Sequence, residues 1–383
     1  MKQSIKLKYG KQKIPFPLPD HMDIFQIHEP DKKITPSLFA SRLRDEFERL
    51  NPDLSNISIV VGDKTRLCGY PEYLPVLLDI LKNVGADPDR ITIFIAYGTH
   101  APQTDKECLA AYGDVYQNVR FVHHDCMDDT CFVNSGQTSR GTLVLIRRDI
   151  VETGFLITFG AVSHHYFAGY GGGRKLIFPG LGQKESIYNN HSLFLDRKRQ
   201  ALSPCCQSGI LDKNPLAEDL AEFETFCPAN LSIHGILNSQ GQVCDLLPGA
   251  GTDHFRNACA EHGKHCEVSV TGDYDLVIAS CGGYPKDINF IQSHKAIENA
   301  SKFVRNNGML IILAECQDGV GSKIFLPWFE FGNWKNTFDK LAQNYEGNGG
   351  TALSMMSKSE RIRILMVTTL SESICKTIGI EKI

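Results

Sequence analysis

The sequence predicts an α/β protein with two domains, each built on a sheet of mainly parallel strands. Short apolar runs alternate along the chain with segments of helical periodicity, which is typical of buried parallel strands joined by helices. Polar residues follow several of these runs directly. The alternation restarts near residue 268, and a length of 383 residues favours two domains over one.

The first elements lead to two strands that end in polar residues. A strand–turn–strand is expected over residues 5–19 and a helix over residues 37–50. The apolar run 57–61 predicts a buried strand, and Asp63 and Arg66 follow it. In open α/β sheets ligands bind beyond the carboxyl ends of the strands, so these two residues are site candidates. An exposed strand-to-helix turn with a capping aspartate is the alternative interpretation.

The same pattern then repeats. A helix closed by Gly85 leads to a buried strand at 91–96, which is followed by Gly98, Thr99 and His100. Two successive strands that deliver polar residues at their carboxyl ends predict one shared crevice. The remaining strands are expected at 121–125, 143–150, 155–159, 231–238, 275–280, 308–316 and 361–370, with helices at 252–265 and 288–303.

The stretch from Ser163 to His191 is the centre of the predicted site. The candidate residues in this stretch are His164 and His165, then Gly171, Gly172 and Gly173, then Arg174 and Lys175, and finally His191. Glycines permit close approach to an anionic ligand, lysine can pair with phosphate or act as a nucleophile, and imidazoles transfer protons or bind metals. The alternative is a tight turn without function.

Two familiar nucleotide motifs are excluded at this stretch. Leu176 follows Lys175, so the stretch is not a Walker loop. Arg174 stands where the third glycine of the dinucleotide fingerprint belongs.

The motifs together resemble the nickel-dependent lactate racemase family. They are GTHAPQT at 98–104, SHHYFAGYGGGRK at 163–175 and the later His191. The resemblance covers nearly the whole chain and implies two α/β domains with the active site in the cleft between them. From the restart of the α/β pattern we expect domains at 1–267 and 268–367, with residues from about 368 to 383 returning to the first. The resemblance also implies an isomerase, a racemase or epimerase of a 2-hydroxy acid, which works with a nickel-pincer nucleotide made by dedicated biosynthetic enzymes.

The family pattern assigns a role to each candidate residue. Lys175 would carry the cofactor (pyridinium-3-thioamide-5-thiocarboxylic acid mononucleotide) covalently, and His191 would bind its nickel. His100 and His165 would be the acid/base pair, and His165 is preferred over the adjacent His164. The remaining assignments are Asp63, Arg174, Gly171, Gly172 and Gly173 to cofactor binding and Arg66, Gln292 and Lys295 to substrate binding.

The chemistry of a 2-hydroxy acid fits this set. Its α-hydrogen is too weakly acidic for simple deprotonation, but removal as hydride gives a flat 2-oxo acid that can be reduced from either face. Side chains cannot accept hydride, so a cofactor is required. Two imidazoles could serve the two enantiomers, Arg66 and Lys295 could bind the carboxylate, and nickel accepts imidazole nitrogen.

One family feature is missing. Lactate racemases carry a late tryptophan that shapes a small substrate pocket, whereas the corresponding segment here reads Ser354-Met355-Met356-Ser357. We therefore expect a substrate larger or more polar than lactate. The alternatives left open are a dehydrogenase that holds a nicotinamide nucleotide at the glycine run and a non-catalytic protein that binds a nucleotide or nickel.

Composition gives the broad class of the protein. A net charge of −4 provides no basic surface for nucleic acid, and no apolar run approaches 18 residues. The basic N-terminus lacks the apolar region of a signal peptide. The 13 cysteines are odd in number and scattered, which favours reduced thiols. We expect a cytoplasmic enzyme with a small-molecule substrate and without nucleic-acid or membrane partners.

Overall fold

The computed structural model describes residues 4–50, 52–270 and 272–383, which form two compact units. The larger unit comprises Ile27–Phe194 and Ser203–Glu267. The smaller unit comprises the described residues up to Gln26, then Leu195–Leu202 and Val268–Ile383. It therefore includes the N-terminal hairpin and residues 368–383, which the sequence prediction assigns to the first domain.

The strands are numbered along the chain. They are β1 (Ser4–Tyr9), β2 (Gln12–Pro17), β3 (Ile57–Gly62), β4 (Ile91–Ala96), β5 (Arg120–His123), β6 (Phe132–Gln137), β7 (Leu143–Arg147), β8 (Phe155–Ala161), β9 (Ser163–His165), β10 (Gly169–Gly171), β11 (Leu195–Asp196), β12 (Ala201–Leu202), β13 (Leu231–Leu237), β14 (Val243–Gly249), β15 (Tyr274–Ser280), β16 (Val304–Leu313), β17 (Arg363–Val367) and β18 (Glu381–Lys382).

The α-helices are numbered in the same way. They are α1 (Pro36–Leu50), α2 (Tyr70–Asn83), α3 (Asp105–Tyr112), α4 (Val115–Asn118), α5 (Arg148–Val151), α6 (Arg174–Ile177), α7 (Lys184–Ser192), α8 (Pro215–Phe226), α9 (Gly251–Cys266), α10 (Phe290–Ala300), α11 (Trp334–Gln343), α12 (Gly349–Arg361) and α13 (Glu372–Thr377). Short 3₁₀ helices occur at Pro88–Arg90, Asp129–Cys131, Ser301–Phe303 and Leu326–Phe331. None of the described helices is both long and apolar enough to cross a lipid bilayer.

The larger unit is built on a six-stranded sheet in the order β14-β13-β8-β3-β4-β5. All neighbouring strands are parallel except β14, which is antiparallel to β13. From β3 the chain proceeds through β4 to β5 on one side, whereas β8 and β13 lie on the other. The strand order thus reverses between β3 and β8, and in open α/β sheets ligands bind at such a switch point.

The apolar runs form the centre of this sheet because both of its faces are covered. All six residues of β3 are buried, as are the first six of β8. Helices α1 and α2 contribute their buried faces to the same core, with Phe39 and Tyr73 in edge-to-face contact at 5.8 Å between ring centroids. Burial on both faces explains why these strands read as continuous apolar segments.

The smaller unit has its own parallel sheet in the order β15-β16-β17-β18. The β1–β2 hairpin is attached to this unit through hydrogen bonds. The backbone N–H of Gly10 donates to Asp287 Oδ2 over 2.7 Å, and the Ser280 hydroxyl donates to the Lys8 carbonyl. At the other end of the chain, β18 pairs with β17. These contacts hold the β1–β2 hairpin and β18 in the smaller unit.

The predicted fold class, α/β with parallel-rich sheets, is confirmed. The sequence prediction missed the antiparallel edge strand β14 and the small hairpin of β6 and β7. It also expected one strand over 143–150, whereas β7 ends at Arg147 and α5 follows.

Candidate active site

Three neighbouring strands of the larger unit end in candidate residues. Asp63 follows β3, His100 follows β4, and the β9–β10 hairpin that carries His165 follows β8. The end of β3 is fixed by two buried tyrosines. The Gly62 N–H donates to the Tyr70 hydroxyl over 2.7 Å, and the Tyr112 hydroxyl donates to the Gly62 carbonyl over 2.9 Å. Asp63 is thereby anchored at the carboxyl edge of the sheet.

Asp63 accepts hydrogen bonds from three side chains. Its carboxylate receives the Thr65 hydroxyl at 2.5 Å, Arg66 at 2.9 Å and His100 Nδ1 at 2.7 Å. Asp63 is only 2% exposed, and burial alone would raise its pKa. The hydrogen bond from His100 and the charge of Arg66 outweigh burial and hold the pKa of Asp63 well below its ordinary value. Asp63 is therefore ionised at neutral pH.

An ionised Asp63 sets the tautomer of His100. His100 Nδ1 lies 2.7 Å from the Asp63 carboxylate and 3.2 Å from Arg66 Nη1. Because a carboxylate only accepts hydrogen bonds and is the nearer partner, we assign the proton to His100 Nδ1. The lone pair of neutral His100 is then on Nε2. The side chain of His100 is 45% exposed and that of Arg66 is 54% exposed, so both can meet a ligand. This arrangement suits a general base beside a cation.

His165 is held in the opposite way. It lies on β9, and its Nδ1 accepts backbone N–H groups from Phe167 at 3.3 Å and Ala168 at 3.1 Å. The neutral ring must then carry its proton on Nε2. In their neutral states, His165 is therefore a hydrogen-bond donor at Nε2, whereas His100 is an acceptor at Nε2.

The glycine run is required by close packing against the chain itself. A Cβ on Gly172 (φ +85°) would lie 2.4 Å from the Ala161 carbonyl oxygen. A Cβ on Gly173 (φ +50°) would lie 2.7 Å from the Phe255 ring. Only glycine fits these two positions. The two glycines lead from the β9–β10 hairpin directly into α6, which carries Lys175. Gly171 has an ordinary φ, and a Cβ there would meet its nearest neighbour, Ser163 Oγ, at 3.4 Å.

Lys175 has an activated amine. Burial lowers its pKa to about 7, and the positive charges of Arg66 and Arg174 act in the same direction. Among the described residues no carboxylate forms a salt bridge with Lys175. Its backbone is tied to the end of β4, because Gly180 donates to the Lys175 carbonyl over 3.0 Å and Gly98 donates to the Gly180 carbonyl over 2.8 Å. Near neutral pH a large fraction of this amine is unprotonated and nucleophilic.

Arg174 points into the protein. It is 6% exposed, and its guanidinium lies 5.0 Å from the centre of the Phe255 ring. Burial lowers the pKa of Arg174, and the nearby carboxylate of Glu224 opposes this effect. The contacts of Arg174 support the loop from behind.

His191 lies near the end of α7. Its Nδ1 donates to the Ile187 carbonyl over 2.8 Å, which leaves the lone pair of the neutral ring on Nε2. Burial lowers the pKa of His191 to about 3, and the charge of Lys175 contributes. A neutral imidazole whose Nδ1–H is held by a carbonyl is the usual state of a metal-binding histidine. Among the described residues, no three His, Cys, Asp or Glu side chains are grouped to hold a metal.

Gln292 and Lys295 lie in the smaller unit, on the first turns of α10. The Lys295 ammonium donates to Gln292 Oε1 over 2.7 Å. The segment that replaces the family tryptophan lies on α12, where Ser354 is 4% exposed and bonds to Glu298 at 3.1 Å. A tryptophan does reach this segment from α11, because Trp334 Nε1 donates to the Ser357 hydroxyl over 2.6 Å.

The sequence reasoning missed the residues that support the candidates. Thr65 bonds to Asp63, and Gln103 accepts the backbone N–H of Lys64 at 2.8 Å. Both residues lie inside motifs that were recognised for other positions. Their short polar side chains next to strand ends were the available signal.

Comparisons with known proteins agree with this geometry. A family model described as the lactate racemase N-terminal domain matches residues 9–203, and one described as the C-terminal domain matches residues 270–369. The chain belongs to the lactate racemase family. The family and the isomerase class predicted from the sequence are therefore confirmed.

Individual relatives give the same result. The lactate racemase of Thermoanaerobacterium thermosaccharolyticum is 29% identical over 343 residues, covering 85% of this chain and 78% of the relative. The lactate racemase of Lactiplantibacillus plantarum is 30% identical over 283 residues, covering 73% of this chain and 65% of the relative. The solved apoprotein of the Thermoanaerobacterium enzyme superposes with a TM-score of 0.88 at 26% identity, covering 99% of this chain and 92% of that chain. A Thermotoga maritima protein shares the fold, with a TM-score of 0.68 at 14% identity. The superposition covers 94% of this chain and 93% of that chain.

Proposed function

We propose that this protein racemises or epimerises a 2-hydroxy acid with a nickel-pincer nucleotide attached to Lys175. The observation that carries the proposal is the amine of Lys175, whose pKa is lowered to about 7 beside the switch point of the sheet. An ordinary surface lysine is almost fully protonated at neutral pH and is a poor nucleophile. An amine that is activated without a carboxylate partner fits a covalent attachment point.

The residues around Lys175 suit the cofactor. His191 offers a neutral imidazole whose Nε2 lone pair can bind nickel, and nickel accepts nitrogen and sulfur ligands in a square-planar arrangement. The glycine run and Asp63 belong to the same edge of the sheet and would border the nucleotide. When bound, the cofactor supplies the hydride acceptor that side chains lack. Arg174 would support the glycine run from the protein interior, since its side chain is buried.

The two histidines would handle the proton of the substrate hydroxyl. His100 can accept it at Nε2, and Asp63 stabilises the resulting imidazolium through Nδ1. His165 in its present tautomer can donate from Nε2 to the substrate oxygen. For His165 to accept a proton at Nε2, its Nδ1 must release the backbone N–H groups and take a proton itself. We therefore expect the enantiomer served by His100 to react faster in a single turnover.

Cations are available for the substrate carboxylate. Arg66 is exposed beside His100 and fixed at Asp63, so it can present a planar pair of donors. Gln292 and Lys295 form a hydrogen-bonded pair on α10 and would offer further donors to the substrate. These are the substrate-binding roles that the family resemblance gives them.

We further propose a substrate larger or more polar than lactate. The support is the chemistry of α12, where Ser354 and Lys358 stand on consecutive turns and bind the carboxylate of Glu298. The indole that reaches this segment belongs to Trp334 of α11, whereas the family tryptophan belongs to the segment itself. The cysteines of the chain are free thiols, which fits a reducing, cytoplasmic location where the biosynthetic enzymes could load the cofactor.

The test is production of the protein together with the enzymes that make the cofactor. Intact mass and peptide mapping should show a mass increment on Lys175 with bound nickel. Chiral chromatography of a panel of single enantiomers should show conversion of a dicarboxylic or polyhydroxy acid with higher kcat/KM than lactate. Lys184→Ala, which removes a lysine at the start of α7, is the matched control and should behave as wild type.

The outcomes separate the alternatives. Bound nicotinamide nucleotide, with net oxidation of the substrate, would indicate a dehydrogenase. Cofactor loading without turnover on any acid would indicate a binding protein. Loading and turnover with lactate as the best substrate would refute only the proposal on substrate size.

A further inference from the structure

The β9–β10 hairpin is held by a chain of polar side chains on the face opposite His165. His164 precedes His165 on β9, and adjacent residues of a strand point to opposite faces. His164 Nε2 lies 2.8 Å from Glu267 Oε1, at the end of α9, and its Nδ1 lies 3.2 Å from His262 Nε2. Tyr170, the partner of His164 across the hairpin, donates its hydroxyl to the same Glu267 oxygen over 2.6 Å.

Every donor in this chain meets an acceptor. Glu267 accepts from both Tyr170 and His164, so neutral His164 carries its proton on Nε2. Its Nδ1 can then accept the Nε2–H of His262, and the Cys266 thiol lies 3.9 Å from His262 Nδ1. Burial alone would raise the pKa of Glu267, but the hydrogen bonds from Tyr170 and His164 outweigh it and hold that pKa below its ordinary value. This matches its role as the acceptor.

The chain of residues is enclosed on one side. Tyr170 is 6% exposed and His262 is 7% exposed, whereas the side chains of His164 and Glu267 are 20% and 51% exposed. The ring of His164 stacks on that of Tyr170 with centroids 4.9 Å apart. A hydrogen-bonded network with matched donors rigidifies the segment that carries it. Here that segment carries His165 and continues into the glycine run before Lys175.

We propose that His164, Glu267 and Tyr170 are positioning residues that fix the hairpin so that His165 can act in the proposed racemisation. The inference rests on the proposed function for its catalytic part, while its structural part concerns the apoprotein alone. Weaker hydrogen bonds among these side chains should tilt the β9–β10 hairpin and displace the His165 ring. Small misplacements of a reacting group cost up to roughly 10²-fold in rate.

The test compares Glu267→Gln with Asp212→Asn. Glutamine keeps an oxygen for Tyr170 and His164 but removes the negative charge that strengthens both hydrogen bonds. Asp212→Asn breaks only the exposed ion pair of Asp212 with Arg256 of α9. In the enzyme that carries its cofactor, Glu267→Gln should lower kcat by about 10-fold or more and change KM by less than about twofold. Asp212→Asn should change neither.

A second readout does not depend on activity. In the apoprotein with ¹⁵N-labelled histidine, ring-nitrogen shifts should show His164 protonated on Nε2, with assignments from His164→Gln and His165→Gln. Glu267→Gln should move the His164 and His165 signals together, and Asp212→Asn should move neither. If Glu267→Gln does not fold, Tyr170→Phe removes only one hydroxyl and should move the same signals less.

The results decide the inference separately from the proposed function. Unchanged His165 signals in a folded Glu267→Gln or Tyr170→Phe protein, or an unchanged kcat, would overturn it. If the loaded wild-type protein racemises no 2-hydroxy acid, the proposed function fails. The His165 signals then decide whether this chain of residues positions the hairpin.

Discussion

Two lysines of this protein are withdrawn from solvent and have different surroundings. Lys175, in α6 of the larger unit, lies near the positive charges of Arg66 and Arg174, and no carboxylate is paired with it among the residues described. Lys358, in α12 of the smaller unit, forms a salt bridge with Glu298 and donates to the Ser354 carbonyl over 3.1 Å. Both Lys358 and its partner are largely buried, with side-chain exposures of 10% and 12%.

The difference in partners separates a reactive lysine from a structural one. An enclosed ammonium with cationic neighbours loses its proton easily, so burial prepares Lys175 for chemistry. An ammonium paired with a carboxylate stays charged and holds two helices together. The same substitution, lysine to methionine, should therefore have opposite effects on stability at the two positions.

The largest effect is expected for Lys175→Met. It should abolish covalent attachment of the cofactor and racemisation, because no other amine takes its place. Arginine should not restore either, since guanidinium remains protonated. Intact mass and chiral chromatography measure both losses, and retention of the mass increment in the methionine variant would show that another residue is modified.

The same variant has a signature in stability. The pKa of Lys175 is about 7 in the folded protein and about 10.4 in an unfolded chain. Protonation therefore penalises the folded state fully below pH 7, and the penalty disappears as the pH rises toward 10.4. Apo Lys175→Met should have a higher free energy of unfolding than wild type at pH 7, and the gap should close by about pH 10.4.

His191→Ala should also remove racemisation, but by a different route. The amine of Lys175 remains, so we expect the organic cofactor to stay attached while the nickel content falls. Metal analysis and intact mass on the same sample separate the two. Stoichiometric nickel with normal turnover would exclude His191 as the ligand.

Asp63→Asn should lower racemisation while attachment continues. Asp63 bonds to His100 and Arg66 and forms no salt bridge with Lys175, so its loss should disturb proton transfer and the placement of Arg66 but leave the Lys175 amine available for attachment. A general base contributes about 10²–10⁴ in rate, and a decrease in kcat within that range is expected. A variant that loses attachment as well would show that Asp63 also serves Lys175.

Lys358→Met should leave attachment intact and destabilise the fold. Removing one partner of a buried ion pair costs about 3–5 kcal/mol, because the other charge remains buried. Glu298→Leu in the same chain removes that charge, and the double variant should recover most of the loss. Urea unfolding of the single and double variants measures both. Equal stability of Lys358→Met and wild type would contradict the structural role.

The sequence predicted the fold where continuous apolar runs dictate burial. Strands β3, β4 and β8 were identified because they are buried on both faces, whereas their order in the sheet was not predicted. Strand β14 lies at the sheet edge with mixed burial, so its residues carry a weaker pattern. The positions of the chain ends depend on hydrogen bonds such as that of Gly10 with Asp287, and no local pattern encodes such long-range pairs.

The sequence identified the candidate residues of the site but not their chemical states. The motif around Lys175 predicted a reactive amine. The pKa of that amine is lowered first by burial and then by the charges of Arg66, more than 100 positions away, and Arg174. The tautomer of His100 depends on its contact with Asp63 at 2.7 Å, and that of His165 on two backbone N–H groups at 3.3 and 3.1 Å. The chain from Tyr170 to His262 joins α9 to the hairpin, and only the fold brings these residues together.

Direct titration of Lys175 tests the central claim of this account. Reductive ¹³C-methylation of the apoprotein, with Lys175→Met to assign the signal, allows the pKa of that amine to be followed by NMR. We predict a midpoint near pH 7, as burial and two positive neighbours require. A midpoint near 10, the value of an ordinary exposed lysine, would contradict the proposal that the fold activates this amine.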